Sequence, residues 1–204
     1  MTEAVQGEYK FQRGSLKLIP YDIKVANIPE EALLTLYNRL KEENLLSVVF
    51  HEGVDVSLLQ FMNYFSGGRG LLQILAISDP AGAYYPAGMA WLSDIVVCSG
   101  VIMKGVGAFV FFKDYMKPVY TDPFSEIILD YWFNGLGMNI ILGATPEPNR
   151  AALLYVKRSG FKEVARIPEY TTFKGEVVTG VITYMTKTDY QSLVREPHGI
   201  IRAG

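Results

Sequence analysis

The sequence has few of the residues that build disulfide frameworks and metal sites. Cys98 is its single cysteine, and His51 and His198 are its two histidines. One cysteine excludes an internal disulfide framework and fits a reducing compartment. Two isolated histidines without clustered cysteines or carboxylates do not predict a metal site. Because Cys98 has no partnered histidine, we interpret it as a small buried apolar residue.

The sequence also lacks an excess of charge and a long apolar run. Its 19 basic and 21 acidic residues leave a formal net charge of -2, which indicates neither a nucleic-acid partner nor an anionic membrane. The longest apolar runs, such as 106–112, are far shorter than the roughly 20 residues of a membrane-spanning helix. The polar N-terminus is unlike a signal peptide. We therefore expect a soluble, cytoplasmic protein that binds neither nucleic acid nor membrane.

Apolar residues, in contrast, are abundant. They make up 50% of the 204 residues, enough to bury a substantial core without a disulfide or a metal. No repeat, low-complexity tract or linker interrupts the chain, so a single domain is favoured. We predict an extended N-terminal arm at 1–14, one domain at 15–188 and a C-terminal tail at 189–204.

Hydrophobic periodicity predicts the helices. Leu33, Leu36, Tyr37 and Leu40 are spaced as one face of a helix that begins near Pro29. A second helix is expected to begin at Asp55 or Ser57, and the cap-then-proline sequence Thr121-Asp122-Pro123 predicts the start of a third. A fourth follows Asn149, a good N-cap residue.

Short apolar runs bounded by turn residues predict the strands. They lie at 15–19, 71–78, 88–97, 106–112, 140–142, 163–167 and 178–187. The resulting order, β-α-α-β-β-β-α-β-α-β-β, predicts an α+β domain. Its mixed central sheet should be antiparallel at first and parallel around the third helix, with helices flanking it. The chain from Thr188 onward is expected to be irregular.

The glycine-rich segment 66–70 invites two interpretations. Its composition suggests a phosphate-binding loop, but such a loop lies between a strand and a following helix. Here the segment follows a predicted helix and precedes a predicted strand. A helix stop followed by a turn is therefore the favoured interpretation.

The stretch 139–161, NIILGATPEPNRAALLYVKRSGF, resembles a known family. Asn149, Ala152 and the closing Gly160-Phe161 have the spacing found in the fifth-strand and fourth-helix region of the GNAT superfamily of acyl-CoA-dependent N-acetyltransferases. The resemblance implies a GNAT-like fold for residues 15–188. In the family a tyrosine stands four residues before the glycine, where this chain has Val156. Tyr155 precedes that position by one residue, about 100° around a helix.

The resemblance implies acetyl-CoA as co-substrate. The cofactor-binding residues would be Lys113, Tyr115 and Lys117 after the central strand, and Asn149 and Arg150 at the start of the fourth helix. In the family this first connection carries spaced glycines whose amides hold the pyrophosphate. Here it has no glycine, prolines remove amide donors, and Asp122 adds a negative charge.

A catalytic acid and a catalytic base follow from the same resemblance. Tyr155 would protonate the departing CoA thiolate, although packing in the core is an equally good interpretation. Asp94, Asp114 and Glu147 lie at or near strand ends, where a base for the amine would lie. Asp114 is the first choice because it follows the central strand.

Two functions are compatible with these features. The first is an N-acetyltransferase that acts on a small-molecule or protein amine. The alternative is a GNAT-like module, without CoA binding, that serves in binding or assembly; divergent GNAT-like proteins carried by phages look loosely similar. Aromatic residues in predicted loops or at strand edges would line an acceptor cleft or a homo-oligomer interface, or be scattered packing residues. They are Tyr84, Tyr85, Tyr115, Tyr120, Tyr170 and Phe173.

Overall fold

The computed structural model describes residues 8–11, 14–21, 30–50, 56–65, 70–78, 81 and 84–195. An eight-stranded sheet with the order β1-β2-β3-β4-β5-β6-β8-β7 forms its centre. The strands are β1 Glu8–Phe11, β2 Gly14–Tyr21, β3 Gly70–Ser78, β4 Tyr84–Cys98, β5 Ile102–Phe111, β6 Ile140–Pro146, β7 Lys162–Phe173 and β8 Glu176–Thr186. All neighbouring strands are antiparallel except β5 and β6, which are parallel. The predicted mixed α+β sheet is therefore confirmed.

Helices cover both faces of the sheet. They are α1 Glu30–Glu42, α2 Leu46–Phe50, α3 Leu58–Tyr64, α4 Pro118–Asp130, α5 Arg150–Arg158 and α6 Lys187–Arg195. The predicted stripe of α1 is buried, and it packs with α2, α3 and one face of β3 and β4. On the other face, a second core joins α4 and the turn after it to β5, β6 and α6. Of the helices within the described residues, none is long and apolar enough to cross a bilayer.

Two elements lie beyond the predicted boundaries at the chain ends. Strand β1 lies within the segment predicted as an extended arm, and it pairs with β2. The prediction of an irregular chain from Thr188 was wrong, because α6 begins at Lys187. Thr186 and Asp189 explain this helix start: the Asp189 amide donates to Thr186 Oγ1, and the Thr186 amide donates to Asp189 Oδ2, each at 3.1 Å. This reciprocal pair satisfies amides that a helix start leaves free.

The start of α4 also differs from the prediction. The helix begins at Pro118, five residues before the proline that was expected to open it. Proline is well tolerated in the first helical position, because the missing amide has no intrahelical partner there. Thr121 and Asp122 therefore lie inside the helix and are not its cap. Both side chains contact Arg158 of α5 instead.

Several predictions fall outside the described residues. The glycine-rich segment lies there except for Gly70, which begins β3. His51, His198 and the alternative helix start at Asp55 also lie there. Ser57 is confirmed as the N-cap of α3, because its side chain accepts a hydrogen bond from the Gln60 amide. Cys98 ends β4 and is half-buried, which makes it less buried than predicted.

Candidate active site between strands β5 and β6

The two parallel strands of the sheet separate along their length. They pair only from Lys104 opposite Ile140 to Val106 opposite Leu142. Both strands then continue, each held by its antiparallel neighbour: β5 follows β4 to Phe111, and β6 follows β8 to Pro146. A gap therefore opens in the middle of the sheet, closed at Val106 and Leu142 and widest at the carboxyl ends of both strands. Ligands of open α/β sheets bind outside such strand ends.

A cavity of about 90 Å³ fills this gap, and we call it the central cavity. Gly107 to Phe109 of β5 and Gly143 to Pro146 of β6 form its walls, while Trp91 lies towards α1–α3 and Tyr155 towards α5. The cavity thus connects the two faces of the sheet. Of the described residues that line it, none is an Asp, Glu, Lys or Arg. Its interior suits an uncharged chain.

Two glycines keep the closed end of the gap free of side chains. A Cβ on Gly107 would lie 2.7 Å from the Trp132 ring, and a Cβ on Gly143 would lie 2.9 Å from Thr183 Oγ1. Trp132 is held in place because its indole Nε1 donates to Gln73 Oε1 at 2.9 Å, deep in the core. Gln73 of β3 therefore helps to shape the closed end, because it holds Trp132 in place.

Helix α5 begins beside the open end of the gap. Asn149 is its N-cap, as predicted, and its Oδ1 accepts a hydrogen bond from the Ala152 amide at 3.2 Å. Asn149 and Ala152 line the central cavity. Arg150 instead lines a neighbouring groove of about 620 Å³ between α5 and strands β7 and β8. Only one of the two predicted ligands on α5 thus faces the gap.

Tyr155 and Val156 both line the central cavity. The Tyr155 ring packs edge-on against Phe109 and Phe111, and its hydroxyl lies 2.7 Å from Ser125 Oγ. Burial raises the pKa of the Tyr155 hydroxyl above its ordinary value, and the hydrogen bond to Ser125 offsets part of the rise. The phenol therefore keeps its proton throughout the physiological pH range.

Asp122 is neutralised by an ion pair. Arg158 Nε donates to Asp122 Oδ1 at 2.8 Å, and the same guanidinium donates to Thr121 Oγ1 at 2.8 Å. Both members of the pair are largely buried between α4 and α5. The negative charge expected to repel a pyrophosphate is thus compensated, and the pair instead joins two helices that border the gap.

A second pocket opens on the α1–α3 side of the gap, and we call it the Asp94 pocket. It measures about 480 Å³ and shares Trp91, Gly107, Ala108 and Ala144 with the central cavity. Tyr64, Trp91 and Tyr170 contribute aromatic surface to it. Aromatic rings beside one carboxylate form an environment that favours an organic cation.

A bulge in β4 directs Asp94 into this pocket. The pairing with β5 shifts between Ser93 and Val96, so that two residues of β4 lie opposite one residue of β5. Asp94 takes a positive φ of 49°, a conformation that aspartate adopts more readily than most residues. Its Oδ2 accepts a hydrogen bond of 3.1 Å from Ser93 Oγ.

The other two carboxylates considered as a base lie elsewhere. The Asp114 side chain is 81% exposed and forms an ion pair with Arg39 of α1 at 3.2 Å. Glu147 forms an ion pair with Arg166 of β7. Neither lines the central cavity or the Asp94 pocket. Of the three candidates, the structure brings only Asp94 to the gap.

The connection between β5 and α4 borders the open end of the gap. Some of its groups are already bound or packed within the protein. Lys113, Tyr115 and Lys117 lie in it, and none of them lines the central cavity. The Lys113 amide donates to Glu43 Oε2 at 2.8 Å, so this amide is already bound by a carboxylate. Tyr115 packs edge-on against Tyr120. Lys113 and Lys117 are exposed and supply positive charge near the mouth.

Several residues of the site were not predicted from the sequence, among them a facing pair on β6 and β8. Thr183 of β8 and Gly143 of β6 lie opposite each other and line the central cavity. The sequence gives little signal for Thr183, because β8 also contains Thr179 and Thr186. Tyr170, in contrast, belongs to the predicted aromatic set; it packs on Gly180, where a Cβ would lie 2.5 Å from its ring, and it lines the Asp94 pocket.

No family model and no curated protein sequence matches the chain. Solved structures do match it. The spermidine N-acetyltransferase of Vibrio cholerae, in complex with CoA and spermine, is 16% identical with a TM-score of 0.68, covering 86% of this chain and 98% of that one. The RimJ protein of Mycobacterium smegmatis, in complex with CoA-disulfide, is 14% identical with a TM-score of 0.68, covering 93% and 92%.

A third match is the ribosomal-protein-S5-alanine acetyltransferase of Vibrio fischeri, which is 14% identical with a TM-score of 0.63, covering 90% of this chain and 98% of that one. At these identities the likeness concerns the fold. The chain therefore has the acyl-CoA N-acyltransferase fold of the GNAT superfamily.

Proposed function

We propose that the protein is an acyl-CoA-dependent N-acyltransferase that transfers an acetyl group to a primary amine. The observation that carries this proposal is the gap between β5 and β6, which joins an uncharged cavity to a carboxylate-bearing pocket on the opposite face of the sheet. The uncharged lining of the cavity suits the thioester end of an acyl-CoA, and Gly143 leaves a cradle that a Cβ would fill. Asn149 and the backbone of β5 and β6 would hold the uncharged arm that leads to it.

Acyl-CoA would supply an electrophilic thioester carbonyl at the closed end of the gap. On the opposite side, Asp94 binds the ammonium form of the acceptor and then takes its proton, which frees the nitrogen lone pair. The new bond joins the amine nitrogen to the acyl carbon, and the carbon–sulfur bond breaks. Tyr155 gives its proton to the departing sulfur, and its phenolate takes the second proton that the nitrogen loses as the amide forms. Asp94 releases the first proton to solvent.

The composition of the Asp94 pocket limits the acceptor. Asp94 is the one carboxylate among the described residues that line the pocket, and the aromatic rings around it complete a site for one cationic group. The matched enzyme from Vibrio cholerae is a spermidine acetyltransferase and the one from Vibrio fischeri acts on a ribosomal protein. We infer a monoamine, or the amino terminus of a peptide, as the acceptor.

One observation favours the alternative of a cofactor-free binding module. The connection that would hold the pyrophosphate has no glycine, and the Lys113 amide is bound by Glu43. Lys113 and Lys117 would have to hold the anion through side-chain charge. If the two lysines do not hold the pyrophosphate, the protein has the GNAT fold but does not bind CoA.

A thermal-shift titration separates the two functions. At 100 times its dissociation constant a ligand stabilises by about 2.7 kcal/mol, which for a chain of this size is a rise of roughly 5–10 °C. We expect this rise with acetyl-CoA and not with free adenosine nucleotides. We further expect release of free thiol when a panel of primary amines is added. A flat titration up to millimolar acetyl-CoA would exclude the acyltransferase and leave the cofactor-free alternative.

A further inference from the structure

The hydroxyl of Thr183 is buried and has no hydrogen-bond partner among the described residues. Thr183 is 4% exposed, so its hydroxyl is shielded from bulk solvent. Buried hydroxyls nearly always have a partner, because removing one from water without compensation costs free energy. A hydroxyl without a partner in a cavity wall therefore indicates that its hydrogen-bond partner belongs to a ligand.

Gly143 leaves space for such a group. It lies opposite Thr183 in the register of β6 and β8, and a Cβ at this position would lie 2.9 Å from Thr183 Oγ1. Any larger residue at 143 would fill the space in front of the hydroxyl. Thr183 lines the central cavity at this point, and it also lines the groove between α5 and strands β7 and β8.

The position of this pair within the gap indicates which part of a ligand reaches it. Gly143 directly follows Leu142, the last residue of β6 that pairs with β5. Thr183 therefore lies at the closed end, and a chain that enters from the mouth reaches it with its tip. The lining residues within the described chain include no charged side chain, so a phosphate-bearing end is excluded from the interior. The tip of an acyl-CoA is its acyl group.

We propose that Thr183 is a positioning and specificity residue whose hydroxyl donates a hydrogen bond to the carbonyl oxygen of the bound acyl group, in a pocket that admits only short, uncharged acyl groups. This proposal rests on the proposed function. The carbonyl oxygen is the polar atom of a short acyl group. The Thr183 hydroxyl is a hydrogen-bond donor in the cavity wall that can bind it. The volume of about 90 Å³ leaves no room for a long chain.

Binding by calorimetry tests the proposal on the purified protein with acetyl-CoA, CoA and succinyl-CoA. For Thr183→Val, which keeps the volume and removes the hydroxyl, we expect acetyl-CoA to bind roughly three- to tenfold more weakly, the range of one hydrogen bond. Its affinity for CoA should change less than twofold. Thr183→Ser keeps the hydroxyl and should bind acetyl-CoA as the wild type does. Succinyl-CoA should bind the wild type more weakly than CoA does.

The stability of the ligand-free protein gives a second readout. Because Thr183→Val removes an unsatisfied hydroxyl, its melting temperature should equal or exceed that of the wild type. Thr179→Val, on the same strand and outside the cavity lining, is the matched control and should leave binding unchanged. Equal acetyl-CoA affinity in the wild type and Thr183→Val, or an equal loss for CoA, overturns this inference alone. A wild type that binds no CoA form overturns the proposed function together with it.

Discussion

The indole Nε1 of Trp132 donates a hydrogen bond of 2.9 Å to Oε1 of Gln73, and both side chains are buried. Trp132 in turn packs against Gly107, at the point where β5 leaves β6. The bond therefore connects a polar residue of β3 to the closed end of the candidate active site. Gln73 also donates from Nε2 to the Leu71 carbonyl, which fixes its orientation.

Replacing Gln73 with leucine should destabilise the protein. The Trp132 N–H would lose its partner in the core, at a cost of about 1–3 kcal/mol. For a chain of this size the melting temperature should fall by roughly 2–12 °C, measured by calorimetry. The double variant Gln73→Leu/Trp132→Phe removes the unsatisfied donor as well, so its loss should be smaller than the sum of the two single losses. Strictly additive losses would show that the two side chains are not coupled.

Asp94 and Asp114 form a matched pair of aspartates that tests the assignment of the base. Asp94→Asn removes the proton acceptor but keeps the shape of the pocket, so kcat should fall by about 10²- to 10⁴-fold while acetyl-CoA still binds. Asp114→Asn changes a side chain that is 81% exposed and outside the cavity lining, so kcat should stay within about twofold. Steady-state kinetics with a responsive amine measures both values. The reverse outcome would return the base to Asp114.

The sequence predicts the helices and the order of strands because these features depend on local patterns. The α1 stripe, the Asn149 cap and the order of strands all follow from spacing and turn residues that lie close together in the chain. The order of the elements also predicted the parallel pairing around the third helix, and the resemblance in 139–161 added the expected co-substrate. These features required no knowledge of which distant residues meet.

The candidate site depends on contacts that local patterns do not contain. Asp94 and Asp114 both follow apolar runs, and only the bulge in β4 decides that Asp94 faces the gap. Thr183 matters because β6 places Gly143 opposite it. Asp122 was expected to be a cap and an obstacle to an anion, but it forms an ion pair with Arg158, 36 residues later. Each of these relationships is set by register or by helix packing.

Glu126 on α4 should make stability depend on pH. Burial raises the pKa of its carboxyl above the ordinary value of 4.5, and the charge of Asp122, one turn earlier, adds to the rise. Since the folded-state pKa is above the unfolded one, the associated stability is fully present below the unfolded pKa and is lost as pH rises through the folded pKa. At neutral pH the ionised carboxylate therefore weakens the fold.

Glu126→Gln should remove the destabilisation that the ionised Glu126 carboxylate causes at neutral pH. We expect its melting temperature to exceed that of the wild type at pH 7, by at most about 2–4 °C because the side chain is only half-buried. The difference should shrink towards zero as the pH is lowered to about 4. Glu42→Gln, an exposed change on α1, controls for the loss of one negative charge. A difference that is constant across this range would exclude Glu126 as the titrating group.

Tyr155 and Val156 allow a test of the proton donor by exchange of neighbouring positions. Tyr155→Phe keeps the ring packed on Phe109 and Phe111 and removes only the hydroxyl, so kcat should fall by about 10²-fold with little change in KM. Val156 lines the same cavity. It stands four residues before Gly160, the position at which the family that this chain resembles has its tyrosine. A tyrosine placed there in the Tyr155→Phe background should recover part of the lost rate.

The two variants also separate catalysis from packing. The lost contact with Ser125 should cost Tyr155→Phe about 0.5–1.5 kcal/mol of stability, and Val156→Tyr does not restore that contact. Recovery of kcat without recovery of the melting temperature would therefore identify the phenolic proton as the relevant feature. If Tyr155→Phe keeps its rate within about threefold, the hydroxyl serves only to join α5 to α4, and the departing thiolate takes its proton from solvent.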